Sequence, residues 1–134
     1  MTATPVTILL IDDEEDFINT LAERLELRGI CTHTAFSGQQ GLDFLERNSV
    51  DLVLLDMRMP LLSGLEVLRE IRARHGDLPV MIITGHCSEQ DRDEALALGV
   101  QGYYSKPVPF DNLLARLRLA HTLRGQCLQR VDLE

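Results

Sequence analysis

Tryptophan is absent from the 134-residue chain, aromatic residues make up only 4%, and there are only three cysteines. Cys31, Cys87 and Cys127 are far apart and lack the close Cys or His spacing that structural zinc sites use. An odd, widely spread set of cysteines is also not typical of a disulfide-bonded secreted domain. We therefore expect a reduced, cytoplasmic protein.

Positive charge and long hydrophobic runs are scarce as well. Lys and Arg total 13 against 21 Asp and Glu, which gives a net charge of −8. A field of this sign repels phosphate backbones, so we expect no direct binding to nucleic acid. The first apolar run, residues 6–11, is far shorter than the roughly 20 residues that span a bilayer, and residues 1–5 have no basic region of a secretion signal. We expect neither membrane insertion nor secretion.

The composition that remains, 45% hydrophobic and 25% charged, suits one globular domain. Short apolar segments alternate with segments of helical periodicity along the chain. The apolar segments are residues 6–11, 30–35, 51–55, 80–83 and 100–105. The helical segments are residues 14–28, 38–47, 64–75 and 88–98, and a last one begins near residue 110. Parallel strands need crossover helices, so this alternation predicts an α/β domain of three layers, with a five-stranded parallel sheet between two layers of helices.

Polar residues stand where the predicted strands end. They are Asp12 and Asp13, Asp56, Thr84 and Lys106. The functional crevice of an open α/β sheet lies beyond the carboxyl ends of the strands, where the strand order reverses. In the flavodoxin-like order 2-1-3-4-5 the first and third strands are neighbours. Three carboxylates would then meet beside a hydroxyl and an ammonium group.

Such a pocket predicts a divalent cation and phosphoryl chemistry. Two carboxylates about 4 Å apart repel each other by roughly 4 kcal/mol at an effective dielectric constant near 20, so we expect a cation to neutralise them. Hard oxygen ligands suit Mg²⁺. With the charge offset by this ion and by Lys106, an ionised Asp56 could attack a phosphorus centre.

Each of these motifs also has a purely structural interpretation. The acids at 12–16 could simply favour the N-terminus of the following helix, Asp56 could start a loop, and Thr84-Gly85 could be an ordinary turn. Their joint placement at four strand ends of one sheet favours a functional site.

The same residues carry a resemblance to a known family. The Asp12-Asp13 pair, the apolar strand into Asp56 with Met59-Pro60 and Gly64, Thr84-Gly85, and the segment Tyr103-Tyr104-Ser105-Lys106-Pro107 resemble the receiver domain of two-component response regulators. The resemblance covers about residues 6–123. It implies that Asp56 accepts a phosphoryl group from a sensor histidine kinase or a phosphotransfer protein. It also implies a domain that catalyses only its own phosphorylation and slow dephosphorylation, and so is not an enzyme in the usual sense.

The resemblance also implies a ligand set for Mg²⁺. In this interpretation Asp13 and Asp56 hold the ion, Asp12 acts partly through water, and the Arg58 main-chain carbonyl completes the protein ligands.

A switch is implied as well. Lys106 contacts the phosphoryl oxygens, Thr84 turns its hydroxyl toward them, and Tyr103 moves inward. The alternative for Tyr103 is a half-buried place on an edge strand without such a movement. The output would be the face built from the fourth helix, the fifth strand and the fifth helix, which would control a partner or an output domain and could form a homodimer.

Two further residues bear on the lifetime of the phosphoryl group. Arg58 and His86 follow Asp56 and Thr84 by two residues, positions that flank the path of a hydrolytic water in receivers of this kind. We hypothesise that Arg58 prolongs the lifetime, whereas His86 could equally be an exposed loop imidazole. The other histidines, His33, His75 and His121, are interpreted as surface residues.

Three other functions compete with a receiver. A flavodoxin-type FMN carrier has this fold, but the acids at 12–16 would repel the phosphate of FMN. A phosphatase of the haloacid-dehalogenase type has a second Asp two residues after its nucleophile, where this chain has Arg58. A receiver-like scaffold that acts only by binding would not need all of the strand-end residues.

The domain is expected to span residues 1–124, followed by a tail of residues 125–134. Apolar residues continue at helical spacing through Cys127 and Val131, although Gly125 costs about 1 kcal/mol in a helix interior. The tail is either a frayed terminus or a helical segment that pairs with a second copy or leads to an output module.

Overall fold

The computed structural model describes residues 6–86 and 88–123, so Cys87 and the predicted tail lie outside the described residues. Strands and helices alternate as the sequence predicts. The strands are β1 (Thr7–Ile11), β2 (Cys31–Ala35), β3 (Leu52–Leu55), β4 (Val80–Thr84) and β5 (Gly102–Ser105). The helices are α1 (Glu15–Glu26), α2 (Gly38–Arg47), α3 (Gly64–His75), α4 (Glu89–Ala97) and α5 (Phe110–Leu123).

All strand pairs are parallel, and the strand order is β2-β1-β3-β4-β5. The predicted flavodoxin-like order is therefore confirmed. Ile11, the last residue of β1, pairs with Ala35 on one side and with Leu55 on the other. The carboxyl ends of β1 and β3 thus lie side by side, at the point where the order reverses.

The core consists of two apolar layers, one on each face of the sheet. Along β1, Leu9 and Ile11 belong to the layer that packs against α2 and α3, whereas Ile8 and Leu10 belong to the layer that packs against α1 and α5. A strand covered on both faces must be apolar at every position, because successive side chains point to opposite faces. This is why the central strands appear in the sequence as continuous apolar runs.

Capping residues explain where several helices begin. Ser37 accepts a hydrogen bond from the Gln40 N–H at α2, and Ser88 accepts one from the Asp91 N–H at α4. At α3 a full capping box is present, in which Ser63 and Glu66 each accept the other's backbone N–H.

Two predicted boundaries differ from the structure. The fifth strand was expected from residue 100, but β5 begins at Gly102, because the Val100 N–H still bonds to the Ala95 carbonyl at the end of α4. The first helix was expected to reach residue 28, but α1 ends at Glu26 and residues 27–29 form a turn. Among the described helices none combines the length and the apolar character needed to cross a membrane.

Candidate functional site

Three carboxylates meet at the neighbouring ends of β1 and β3. One oxygen each from Asp12, Asp13 and Asp56 lies within 4.8 Å of the other two. Asp12 and Asp56 are only 1% and 4% exposed, and Asp13 is exposed. The acids that the sequence placed at these two strand ends are therefore brought together.

Main-chain hydrogen bonds fix the two buried acids. The Asp12 N–H donates to the Ala35 carbonyl at 3.1 Å, and the Asp56 N–H donates to the Ile11 carbonyl at 3.0 Å. Both bonds extend the sheet by one step beyond the last strand residue. The side chains consequently leave the sheet at defined positions, independent of any loop.

Burial makes the Asp56 carboxylate costly to ionise. Desolvation and the nearby negative charge of Asp12 raise the pKa of Asp56 from 3.8 to about 6, although the Thr84 hydroxyl and Lys106 oppose this shift. Burial also raises the pKa of Asp12, against the hydrogen bonds that this carboxylate accepts from Glu14 and Lys106. The groups around Asp12 and Asp56 therefore do not fully stabilise the negative charges of these two carboxylates.

A divalent cation fits these residues. Within the described part of the chain, the buried Oδ1 atom of Asp56 accepts no hydrogen bond. A buried oxygen without a partner, beside two further carboxylates, matches the hard oxygen ligands that Mg²⁺ takes. The contribution of the Arg58 main-chain carbonyl stays a prediction.

Lys106, the only lysine of the chain, reaches this pocket from the end of β5. Its Nζ donates to Asp12 Oδ2 at 2.9 Å and to Glu14 Oε1, and it lies 4.4 Å from the centre of the Phe17 ring. Burial alone would lower the pKa of Lys106, but the hydrogen bonds to Glu14 and Asp12 outweigh burial and raise it.

Thr84 lies at the end of β4 and is fully buried. Its Oγ1 accepts a hydrogen bond from the His86 N–H at 3.2 Å, and its carbonyl accepts one from the Lys106 N–H at 2.8 Å. Tyr103 is half-buried on β5 and packs against the apolar layer shared with α2 and α3, while Tyr104 packs on the other face of the sheet. Tyr103 thus lies half-buried on β5, and its inward movement stays a prediction.

The side chains of Arg58 and His86 are both exposed. Their predicted effect on phosphoryl lifetime stays a prediction. His33 is exposed as expected, but His75 is half-buried and its Nε2 is buried, so the surface prediction is wrong for His75. The side chain of His121 lies outside the described part.

Three further residues belong to the site, and the sequence pattern does not single them out. Glu14 is one of a run of acids and Phe17 lies in a segment of helical periodicity, but both contact Lys106. Gly64 appeared only as part of a motif, yet a Cβ atom there would lie 2.2 Å from the Asp56 carbonyl oxygen. Gly64 therefore allows α3 to start directly against the strand end that carries Asp56.

Comparison with known proteins agrees with this architecture. The family model of the response regulator receiver domain matches residues 8–118. The chain belongs to this family. It is 38% identical over 114 residues to the response regulator MprA of Mycobacterium sp. (strain KMS), covering 85% of this chain and 50% of that protein. It is 40% identical over 111 residues to the transcriptional regulatory protein CpxR of Escherichia coli (strain K12), covering 83% of this chain and 47% of that protein.

A solved structure gives the same result for the fold. The crystal structure of a response regulator receiver domain protein from Clostridium thermocellum matches this receiver domain with a TM-score of 0.81 and 37% identity, covering 87% of this chain and 94% of the other. The chain spans about half the length of the curated relatives it matches. The likeness to those relatives therefore concerns their receiver part.

Proposed function

We propose that this receiver domain takes a phosphoryl group onto Asp56 from a phosphohistidine of a sensor histidine kinase or a phosphotransfer protein. The observation that carries the proposal is the Asp56 carboxylate, which is buried among other acids and whose Oδ1 has no hydrogen-bond partner among residues 6–86 and 88–123. An oxygen of Asp56 attacks phosphorus as the phosphorus–nitrogen bond to the donor breaks, and the donor imidazole keeps the electron pair and takes up a proton.

The residues around Asp56 have separate roles in this proposal. Asp13 and Asp56, with Asp12 acting through water, would hold Mg²⁺, which supplies positive charge to the carboxylates and to the phosphoryl oxygens. Lys106 provides a second positive charge, and it already lies 2.9 Å from Asp12. The domain promotes only its own phosphorylation and a slow dephosphorylation, which Arg58 retards.

Thr84 and Tyr103 would transmit the change to the face formed by α4, β5 and α5. Thr84 is the last residue of β4, which pairs directly with β5 through Ile82 and Tyr103. A phosphoryl group on Asp56 offers new hydrogen-bond acceptors to the Thr84 hydroxyl, and a displaced hydroxyl leaves space for the Tyr103 ring. This face would then act on a partner or an output domain, or form a homodimer, for which sedimentation with and without beryllofluoride is the test.

The competing functions are less well supported. Asp12 and Asp56 already repel each other in the pocket, so the phosphate of FMN would add a third negative group. Position 58 carries an exposed arginine rather than the second acid of a phosphatase. Flavin absorbance, or continuous phosphate release, would identify either of these alternatives.

The experiment that tests the proposal uses small phosphoryl donors. The protein is incubated with Mg²⁺ and acetyl phosphate or phosphoramidate, and its intact mass is measured. We expect a gain of one phosphoryl group that is stable to acid and removed by hydroxylamine, as an acyl phosphate requires. Asp56→Ala should abolish the gain, whereas Asp43→Ala, which changes an exposed acid on α2, should not. A wild-type protein that gains no mass from either donor contradicts the proposal.

A further inference from the structure

Glu14 has an unusual place between the acidic pocket and α1. It is the N-cap residue of α1, yet its side chain makes no capping hydrogen bond. Its carboxylate turns to the Lys106 ammonium instead. Its N–H donates to Asp12 Oδ1 at 2.9 Å, which holds its backbone against the pocket. The Glu14 side chain therefore contacts the only lysine of the chain instead of capping α1.

Three groups surround that ammonium in the structure. They are the carboxylates of Asp12 and Glu14 and the ring of Phe17. The Lys106 side chain is only 14% exposed, whereas that of Glu14 is 61% exposed. An ammonium has three N–H donors, and two of them already point to carboxylates. For Lys106 to give more than one N–H to phosphoryl oxygens on Asp56, at least one of the two carboxylates must release it.

Glu14 is the partner that can be released without disturbing the metal site. Asp12 belongs to the carboxylate group that could hold a cation, and Glu14 does not. Asp12 is also buried, so losing its countercharge would leave an unpaired buried carboxylate, while the exposed Glu14 carboxylate would regain water. The cost of separation is therefore smaller for Glu14 than for Asp12.

We propose that Glu14 is a positioning residue that holds the Lys106 ammonium on the Asp12 side of the pocket and competes for it with the incoming phosphoryl group. The proposal rests on the proposed phosphorylation of Asp56. Glu14 thereby sets how readily the domain is phosphorylated, without touching the reacting atoms itself.

Matched substitutions distinguish the effect of the Glu14–Lys106 contact from the effect of the negative charge of Glu14. Glu14→Gln removes the charge, and Glu14→Asp keeps the charge but withdraws the carboxylate from Lys106 by one methylene. Glu15→Gln removes the same charge from the next residue, whose side chain is exposed. Initial phosphorylation rates with phosphoramidate are measured by intact mass at saturating Mg²⁺. Because an ion pair with one exposed partner is weak, we expect both Glu14 variants to react about three to five times faster than wild type, and Glu15→Gln to react at the wild-type rate.

A second measurement needs neither metal nor phosphoryl donor. Apart from the N-terminal amine, Lys106 is the only amine of the chain, so its acetylation by acetic anhydride can be followed on one peptide. In metal-free protein we expect Glu14→Gln and Glu14→Asp to speed this acetylation severalfold relative to Glu15→Gln, since the ammonium loses a partner. A residue that only supported the fold would not change Lys106 reactivity in this selective way.

The outcomes are distinguishable. If wild type is not phosphorylated at all, the proposed function fails, while the acetylation assay still reports on the Glu14 contact. If wild type is phosphorylated but both Glu14 variants match it, or are slower, the competition for Lys106 is wrong. If Glu14→Asp behaves as wild type and only Glu14→Gln is faster, the effect is one of charge and the positioning role is likewise overturned.

Discussion

The centre of the sheet and its β5 edge are built differently. Every residue of β3 and β4 is buried, whereas no residue of β5 is. The helices beside them differ in the same way, since α3 buries four residues and α4 buries only Ala95. Elements held by few buried contacts shift at lower free-energy cost than elements in the core. The carboxylates thus lie on the firmly packed part of the molecule, whereas α4 and β5, two of the three elements of the face proposed to change, are loosely packed.

The largest contrast should come from removing apolar volume in the two regions. Leu55 is fully buried at the end of β3, and Leu96 on α4 is 49% exposed. Leu55→Ala should lower the free energy of unfolding by about 3 to 5 kcal/mol, and Leu96→Ala by less than about 0.5 kcal/mol. Urea denaturation measures both. Similar losses for the two variants would show that α4 is packed as firmly as the sheet centre.

Adding a single methyl group beside the site tests the same packing. A Cβ at Gly64 would meet the backbone of Asp56 and Met57, while a Cβ at Gly85 would meet nothing within 4 Å. Gly64→Ala should therefore destabilise the fold by about 2 to 3 kcal/mol, because backbone atoms must move, and Gly85→Ala should have almost no effect. Thermal denaturation of the two variants measures this difference in stability. A neutral Gly64→Ala would mean that the loop after β3 adapts freely.

The raised pKa of Asp56 makes stability depend on pH in a defined direction. The unfolded carboxyl loses its proton near 3.8 and the folded one near 6, so the folded state holds the extra proton between these values. Stability from this group is present below the lower value and is lost as pH rises toward about 6, by up to about 3 kcal/mol. Urea denaturation with EDTA from pH 4 to 8 measures the slope.

Asp56→Asn is the control for this slope. The variant should lack the loss of stability with rising pH that Asp56 causes. It should also be more stable than wild type above pH 6, since no charge forms at residue 56. Mg²⁺ should stabilise wild type at pH 7.5 more than at pH 5, because protons compete with the ion for Asp56. A wild-type protein whose stability rises with pH over this range would contradict the unfavourable ionisation of Asp56.

A smaller effect on stability is expected from a residue that links α3, beside the sheet centre, to the end of α4. Arg72 on α3 donates hydrogen bonds to the carbonyls of Leu98 and Gly99, just after α4, at 2.6 and 3.1 Å. It also donates to Gly76 and Leu78. Arg72→Gln should cost about 1 to 2 kcal/mol and should speed amide hydrogen exchange in α4 more than in β3.

Arg74 on the same helix serves as the comparison for Arg72. It is exposed and forms ion pairs with Glu46 and Glu70. Arg74→Gln should change stability by less than about 0.5 kcal/mol and leave hydrogen exchange in α4 unaltered. If Arg72→Gln behaves as Arg74→Gln does, the guanidinium does not anchor the end of α4.

The sequence predicts the fold and most of the pocket for one physical reason. A strand buried on both faces is apolar throughout, so the first polar residue after it marks the strand end, as Asp12 and Asp56 do. Contacts that depend on how elements are packed leave no such mark. Glu14 and Lys106 are 92 positions apart, and their contact depends on where α1 lies against β5. The burial of His75 likewise depends on what covers the end of α3.

Main-chain hydrogen bonds to the Ala35 and Ile11 carbonyls fix the backbone of Asp12 and Asp56 at the ends of their strands. Replacement of Asp56 by asparagine should therefore leave this backbone geometry unchanged while removing the charge repulsion with Asp12. The side chain at position 56 can thus change the reactivity of the pocket without a change in the strands that carry it.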